Sequence, residues 1–122
     1  MLYSFELPMP PSQNQKIKKG RNGIYKSDKT REYTKIVVDK IKELKLDKEN
    51  IDYKIKVFLD LYPSTAREYD IDNYEKILFD ALTLSGFWRD DRLVFKMIVE
   101  KRFKIPGGKC HVQIDKYEDN YK

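Results

Sequence analysis

The chain has 122 residues, of which 37% are charged and 40% hydrophobic, and its formal net charge is +5. This length suits one domain with one hydrophobic core, and the apolar content is too high for a disordered chain. No apolar run approaches the roughly 20 residues of a transmembrane helix, and the N-terminus lacks the basic start and apolar block of a signal peptide. A single cysteine, Cys110, excludes an internal disulfide and a cysteine-based zinc site. We therefore expect one soluble domain over residues 1–122, located in the cytoplasm.

The charges are unevenly distributed along the chain. Residues 16–45 hold nine Lys and two Arg against four acidic residues, a net charge of +7, whereas residues 68–91 have a net charge of −5. A basic segment attracts polyanions by neutralising phosphates and releasing counterions, and an acidic cluster repels the same polyanion unless cations bind to it. The combination suggests a nucleic-acid enzyme that uses a divalent metal ion. The alternative is a lysine-rich surface with incidental acid-rich loops.

Residue patterns predict the first half of the fold. Alternating apolar residues predict a strand over 2–7. The basic stretch at about 15–27 contains two glycines and indicates a flexible loop or β-ribbon arm. A helix is predicted from about Asp28 to Leu46, with an apolar stripe and polar residues facing water. Strict alternation from Ile51 to Leu61 predicts the clearest strand.

A second helix is predicted from about Asn73 to Leu84. Gly86 is placed to end it, because the C′ position of a helix favours the left-handed conformation that glycine adopts readily. Phe87 and Trp88 follow as expected core anchors.

Two further strands are predicted over 93–103 and 109–115. The segment Ile105-Pro106-Gly107-Gly108 links them, and we expect the two strands to form a hairpin. The polar tail at 116–122 is expected to fray. The element order predicts an α+β domain in which a mixed or antiparallel sheet packs against two helices, with a flexible basic N-terminal arm.

Four aspartates flank the second helix. Asp70 and Asp72 precede it with the i, i+2 spacing that directs both side chains to one side of an extended backbone, so both carboxylates could converge on one Mg²⁺ or Mn²⁺ ion. Lys76 lies one helical turn after Asp72, and its face of the helix is opposite the apolar stripe. Asp90 and Asp91 follow the helix, and one of them could fold back onto the same side. Three carboxylates and a lysine fit metal-assisted hydrolysis of a phosphodiester.

Each of these features has a simpler explanation. Asp72 or Asn73 is also a good helix N-cap, and Asp72 with Glu75 resembles a capping box. Adjacent aspartates after a helix are typical of a solvated turn, and a lone helical lysine is typical of a protein surface. Their joint occurrence at these spacings favours the metal site.

The same residues carry a family resemblance. The motif Asp70-Ile71-Asp72-Asn73-x-x-Lys76-x-x-x-Asp80-Ala81-Leu82, followed by Gly86 and Asp90-Asp91, resembles the signature of the RusA-type Holliday junction resolvases. The segment Pro10-Pro11-Ser12-x-Asn14 is similar to the opening motif of that family. The resemblance extends from Pro10 to about Val99, and the central motif is its specific part.

The resemblance implies a Mg²⁺-dependent endonuclease of bacteria and their phages, with Mn²⁺ as a substitute. Such an enzyme resolves four-way DNA junctions by paired, symmetric nicks during recombination and repair. It acts as a homodimer, which suits a two-fold junction because each active site cuts one of two opposing strands. The resemblance implies neither an organic cofactor nor a membrane.

The resemblance also implies roles for individual residues. Asp70, Asp72 and Asp91 are implied to be the essential metal-binding carboxylates, and Asp90 is an additional candidate ligand. Lys76 is implied to support catalysis from the same site.

Contacts with DNA are expected from the basic arm and from the loop before the acidic motif. The family often has Arg or Pro immediately before the first aspartate, and here Tyr69 stands there. We hypothesise that Tyr69 stacks on or wedges between bases at the crossover. The residues expected to follow the phosphates are Lys16, Lys18, Lys19, Arg21 and Lys26; the alternative for them is a solvated basic loop.

Three other functions compete with junction resolution. One is a noncatalytic nucleic-acid-binding protein that uses the basic arm, and a second is a nuclease for other branched DNA. The third is an interaction protein with a degenerate site, and the presence of every signature acid together with Lys76 argues against it.

Overall fold

The structure is a computed structural model that describes residues 2–11, 17–20, 23–26, 28–66, 71 and 74–118, with the backbone alone for 17–20 and 23–26. Its elements in chain order are β1 (Tyr3–Leu7), β2 (Ile17–Gly20), β3 (Gly23–Lys26), α1 (Asp28–Glu43), β4 (Ile55–Tyr62), α2 (Glu75–Leu84), a 3₁₀ turn (Asp91–Leu93), β5 (Val94–Lys101) and β6 (Lys109–Lys116).

Four strands form one sheet in the order β1-β6-β4-β5. β6 is antiparallel to both β1 and β4, whereas β4 and β5 are parallel, so the sheet is mixed. Alternate residues of β4 and β6 are almost fully buried and pack in one core with the apolar faces of α1 and α2. The predicted α+β architecture is confirmed.

The predicted hairpin between the last two strands is wrong, because β4 lies between β5 and β6. The chain reaches β5 from β4 through α2, a crossover that makes these two strands parallel. The following loop then crosses the end of β4, where Arg102 N–H donates to the carbonyl of Leu61 (2.7 Å) and Ile105 N–H to that of Pro63 (2.9 Å). β6 therefore enters on the far side of β4, where its alternating apolar residues are buried.

Two element boundaries differ from the predictions by three residues or more. The first helix ends at Glu43 rather than Leu46, since Lys45 has a φ of 61° and leaves the helical conformation. The predicted strand at 51–61 begins only at Ile55, and Ile51 instead forms an isolated parallel bridge with Trp88.

Of the two alternatives for the basic arm, the ribbon is observed. β2 and β3 form a two-stranded antiparallel sheet with Ile17 opposite Lys26 and Gly20 opposite Gly23.

In the part of the chain that the structure describes, no helix combines the length and the apolar character needed to cross a membrane.

Candidate active site

The first turns of α2 present Lys76 and Asp80 on its solvent side. Ile77, Leu78 and Leu82 are at most 1% exposed and fix which face of the helix packs against the core. Residues 76 and 80 are four apart and therefore lie above one another on the opposite face. The Nζ atom of Lys76 lies 3.0 Å from Oδ1 of Asp80, which confirms the pairing that this spacing suggests.

The same ammonium group bridges to the segment that follows the helix. Lys76 Nζ donates to Oδ2 of Asp91 at 3.0 Å. The hydrogen bond with Asp91, and secondarily that with Asp80, raises the pKa of Lys76 above its ordinary value. Lys76 therefore stays protonated throughout the neutral range, so it carries a positive charge and can donate hydrogen bonds.

A rigid anchor positions Asp91. Gly86 follows α2 with a φ of 85°, as predicted for the C′ position. Phe87 and Trp88 are fully buried, which confirms them as core anchors, and Trp88 Nε1 donates to Thr83 Oγ1 at 2.7 Å.

Backbone hydrogen bonds tie this anchor to the residues before β4. Asn50 N–H donates to the carbonyl of Gly86 (2.9 Å), Ile51 N–H to that of Phe87 (3.0 Å), and Arg89 N–H to that of Ile51 (2.9 Å). These hydrogen bonds extend to Arg89, the residue immediately before Asp90. They restrain the backbone that leads to Asp91 and so help to hold its side chain beside Lys76.

The two adjacent aspartates have different partners. Asp90 caps the 3₁₀ turn: its Oδ1 accepts from Arg92 N–H at 2.9 Å, and its Oδ2 accepts from Arg92 Nε at 3.1 Å. These bonds, the backbone one first, lower the pKa of Asp90. Arg92 is not among the predicted site residues, although it lies two residues after Asp90, the spacing at which an Asp side chain accepts a hydrogen bond from a following backbone N–H. Asp91 alone of this pair faces Lys76.

Several predicted site residues lie outside the described part of the chain. Asp70, Asp72 and Tyr69 are among them, so the structure does not report their geometry. The N-cap alternatives Asp72 and Asn73 lie outside it too, while the N-cap position of α2 is Tyr74, whose side chain makes no capping hydrogen bond.

The basic residues are partly within the described ranges. Lys18 and Lys19 lie on β2 and Lys26 on β3, with their backbones described, whereas Lys16 and Arg21 fall outside.

The described residues do not by themselves bring together a set of metal ligands. Within the ranges that the structure covers, no group of three His, Cys, Asp or Glu side chains could hold a metal ion. One carboxylate oxygen at the start of α2, Oε2 of Glu75, is buried and has no hydrogen-bond partner there. Asp70 and Asp72, the other carboxylates of the predicted motif, lie outside these ranges.

The chain is similar over most of its length to known proteins. The endodeoxyribonuclease RusA family profile matches residues 8–115. A protein of Enterobacteria phage HK97 named crossover junction endodeoxyribonuclease RusA is 38% identical over 119 residues, covering 95% of this chain and 96% of its own. Proteins of the same name from Escherichia coli O139:H28 and from strain K12 are each 34% identical, covering 96% and 92% of this chain and 97% and 92% of their own. The chain is an endonuclease and belongs to the endodeoxyribonuclease RusA family.

Proposed function

We propose that this protein is a Mg²⁺-dependent endonuclease that resolves four-way DNA junctions by paired, symmetric cleavage during recombination and repair. The observation that carries the proposal is the contact between Lys76 and Asp91, which joins the two halves of the acidic motif on one exposed face. The names of the similar phage and bacterial proteins support the choice of substrate. Because DNA of bacteria and their phages is recombined in the cytoplasm, we infer that the protein acts there.

The residues that would hold the cation are Asp70, Asp72 and Asp91. Their hard carboxylate oxygens suit Mg²⁺, with Mn²⁺ as a substitute. Asp91 is about one-quarter exposed, and within the described residues the hydrogen bond that it accepts from Lys76 uses its Oδ2 atom, so its carboxylate could bind a cation as well. Bound at this site, Mg²⁺ would supply an activated water and neutralise charge on the cleaved phosphate.

Lys76 then acts as the fixed positive group of the site. When the Asp91 carboxylate also binds a cation, the salt bridge with Asp80 still holds the ammonium in place. From there Lys76 can donate a hydrogen bond to a phosphate oxygen and stabilise the charge that develops during cleavage. Asp90 is a positioning residue, since its cap on the 3₁₀ turn orients the backbone of Asp91.

The remaining predicted residues serve to bind and orient DNA. The basic arm, with Lys16, Lys18, Lys19, Arg21 and Lys26, is proposed to follow the phosphates, and Tyr69 is proposed to contact bases at the crossover. Paired cleavage needs two active sites related by a two-fold axis, so we propose that the working enzyme is a homodimer.

Cleavage of a synthetic four-way junction tests this function. With Mg²⁺, we expect nicks in two opposing strands, nicked duplex products, and an intact linear duplex. Asp70→Asn should bind the junction without cutting it, while Asp52→Asn, a matched change of an exposed carboxylate outside the site, should cut normally. Normal cleavage by Asp70→Asn would overturn the assigned mechanism.

The same experiment separates the alternatives. A noncatalytic DNA-binding protein would show salt-sensitive binding that is indifferent to Asp91→Asn and would cut nothing. A nuclease for other branched DNA would cleave flaps or three-way junctions in preference to the four-way junction.

A further inference from the structure

An irregularity at the start of β5 turns the side chain of Phe95 outward. Ile55 of β4 has Val94 as its Cα partner on β5, and the next residue of β4, Lys56, has Lys96. Phe95 is therefore an extra residue of β5 without a Cα partner on β4. A β-bulge of this kind re-aims a side chain, and bulges are frequent next to active sites. Phe95 is accordingly 51% exposed.

Two other residues pack against the exposed ring of Phe95. The ring centroid of Tyr117 lies 5.6 Å from that of Phe95, with the two planes inclined by 35°. The Nζ atom of Lys54 lies 4.6 Å from the centroid of the Phe95 ring. Tyr117 N–H also donates to the carbonyl of Lys54 at 2.9 Å, which fixes these two residues side by side. We call Phe95, Tyr117 and Lys54 the aromatic platform.

The charges beside the aromatic platform favour an anionic partner. Lys56 and Lys96 are Cα partners on neighbouring strands, and like charges in directly opposed positions repel each other. Asp115 is the Cα partner of Lys56 on its other side, so one carboxylate stands against these two ammonium groups. Lys54 adds a third, because an aromatic ring attracts an ammonium group without neutralising its charge. A bound phosphate would relieve this repulsion.

The aromatic platform lies close to the proposed cleavage site. Phe95 follows Asp91 by four residues, and four residues span at most about 14 Å even when fully extended. Successive nucleotides of one DNA strand advance by about 3.4 Å along a duplex. A strand that is held at Asp91 therefore reaches the platform within a few nucleotides.

We propose that the aromatic platform binds an unpaired base of DNA next to the cleavage site, while Lys54, Lys56 and Lys96 contact the phosphates of the same strand. Aromatic side chains stack on bases of any sequence, but they need a base whose face is not covered by its neighbours in a duplex. The inference rests on the proposed function in one respect, that Asp91 belongs to the cleavage site.

Binding of the base exchanges one contact of Lys54 for another. The base takes the place of the ammonium group over the Phe95 ring, and the ammonium group moves to a phosphate of the bound nucleotide. The cation–π contact that is given up is weak at an exposed site, whereas the new contact joins opposite charges. The platform thereby favours branched DNA with unpaired nucleotides at the branch point over a fully paired duplex.

Binding of single-stranded DNA by the full-length protein tests the platform without cleavage. The probe is a fluorescently labelled oligo-dT of about 12 nucleotides, and its anisotropy is measured in EDTA. We expect Phe95→Ala to weaken binding by about tenfold or more, since it removes a stacked ring. Phe95→Leu, which keeps an apolar side chain without a flat face, should lose nearly as much, and Phe95→Trp should bind at least as well as the wild type. The matched control is Phe103→Ala, a change of a more exposed phenylalanine beyond the other end of β5, which should bind normally.

The salt dependence of binding tests the lysines. Lys96→Gln should reduce the slope of log K against log salt by about 0.7, the value for one phosphate contact on a single strand. An unchanged slope would overturn the role of Lys96 in the platform.

Several results would overturn the stacking role. They are a wild-type protein that does not bind the oligonucleotide, a Phe95→Leu variant that binds as well as the wild type, and an equal loss in Phe103→Ala. Unchanged binding by Phe95→Ala together with an altered sedimentation coefficient would show that the patch contacts protein, and would overturn it too. Junction cleavage by a protein that does not bind oligo-dT would overturn this inference alone, whereas Phe95-dependent binding by a protein that cleaves no junction would overturn the proposed function alone.

Discussion

Replacing Gly86 by alanine tests the anchor that positions Asp91. Gly86 has a φ of 85°, a conformation that costs a residue with a Cβ atom roughly 1–2 kcal/mol. An added Cβ would also lie 2.2 Å from the carbonyl oxygen of Asp47. Since that oxygen belongs to the backbone, no side-chain rotation relieves the overlap, and one of the two segments must move.

We therefore expect Gly86→Ala to lower the free energy of unfolding by about 3 kcal/mol or more. The matched control is Gly107→Ala. Gly107 has a similar φ of 79°, but nothing lies within 4 Å of its added Cβ, so only the conformational cost of roughly 1–2 kcal/mol applies. Denaturant unfolding followed by the fluorescence of Trp88, the single and fully buried tryptophan, measures both losses.

The shift of the Gly86 segment in Gly86→Ala should also lower the activity of the site. Gly86 and Phe87 accept hydrogen bonds from Asn50 and Ile51, and a shift of these bonds moves the chain that leads to Asp91. Under conditions where both variants are folded, junction cleavage should fall further in Gly86→Ala than in Gly107→Ala. Equal losses of stability in the two variants would refute the steric argument, and unchanged cleavage by folded Gly86→Ala would refute the link to Asp91.

Three further outcomes follow from the described contacts. Asp91→Asn should bring the raised pKa of Lys76 down toward its ordinary value of 10.5, because the larger cause of the increase is the hydrogen bond to Asp91, and NMR titration of the lysine measures this pKa. The stabilisation from that bond is complete below 10.5 and is lost as the pH rises through the higher folded-state pKa, which denaturant unfolding at a series of pH values measures. Trp88→Phe should cost about 1–3 kcal/mol of unfolding free energy, since the hydroxyl of Thr83 loses the indole N–H, and a loss of under 0.5 kcal/mol would contradict this. Burial raises the pKa of the Cys110 thiol to about 12, so Cys110 should not react with a thiol reagent at pH 8 in the native state. In denaturant it should react with one equivalent of the reagent. Rapid labelling of the native protein would contradict this and show that the core around Cys110 opens.

Local chemistry accounts for what could be predicted from the sequence. The helix from about residue 73 to 84, its termination at Gly86 and the burial of Phe87 and Trp88 depend on periodicity and turn preference over a few residues. The alternation of β4 and β6 is also a local pattern, and both strands were predicted, although β4 begins four residues later than expected. The acidic motif and its family likewise follow from residue types at fixed spacing.

Contacts between distant segments decided the rest. The Ile105–Gly108 link is short and rich in turn residues, so it predicts a hairpin. Instead, Arg102 and Ile105 donate backbone hydrogen bonds to Leu61 and Pro63 at the end of β4, and the chain crosses that strand before β6 begins. Residue spacing left open which of Asp90 and Asp91 faces Lys76, although the family resemblance implied a role for Asp91. The choice results partly from the local cap that Asp90 makes with Arg92 and partly from the anchor bonded to residues 50 and 51, which are remote in the chain. Sequence patterns thus determine which segments are strands, helices and motif, because those properties are local, whereas strand order and the contact of Asp91 with Lys76 depend on hydrogen bonds between segments remote in the chain.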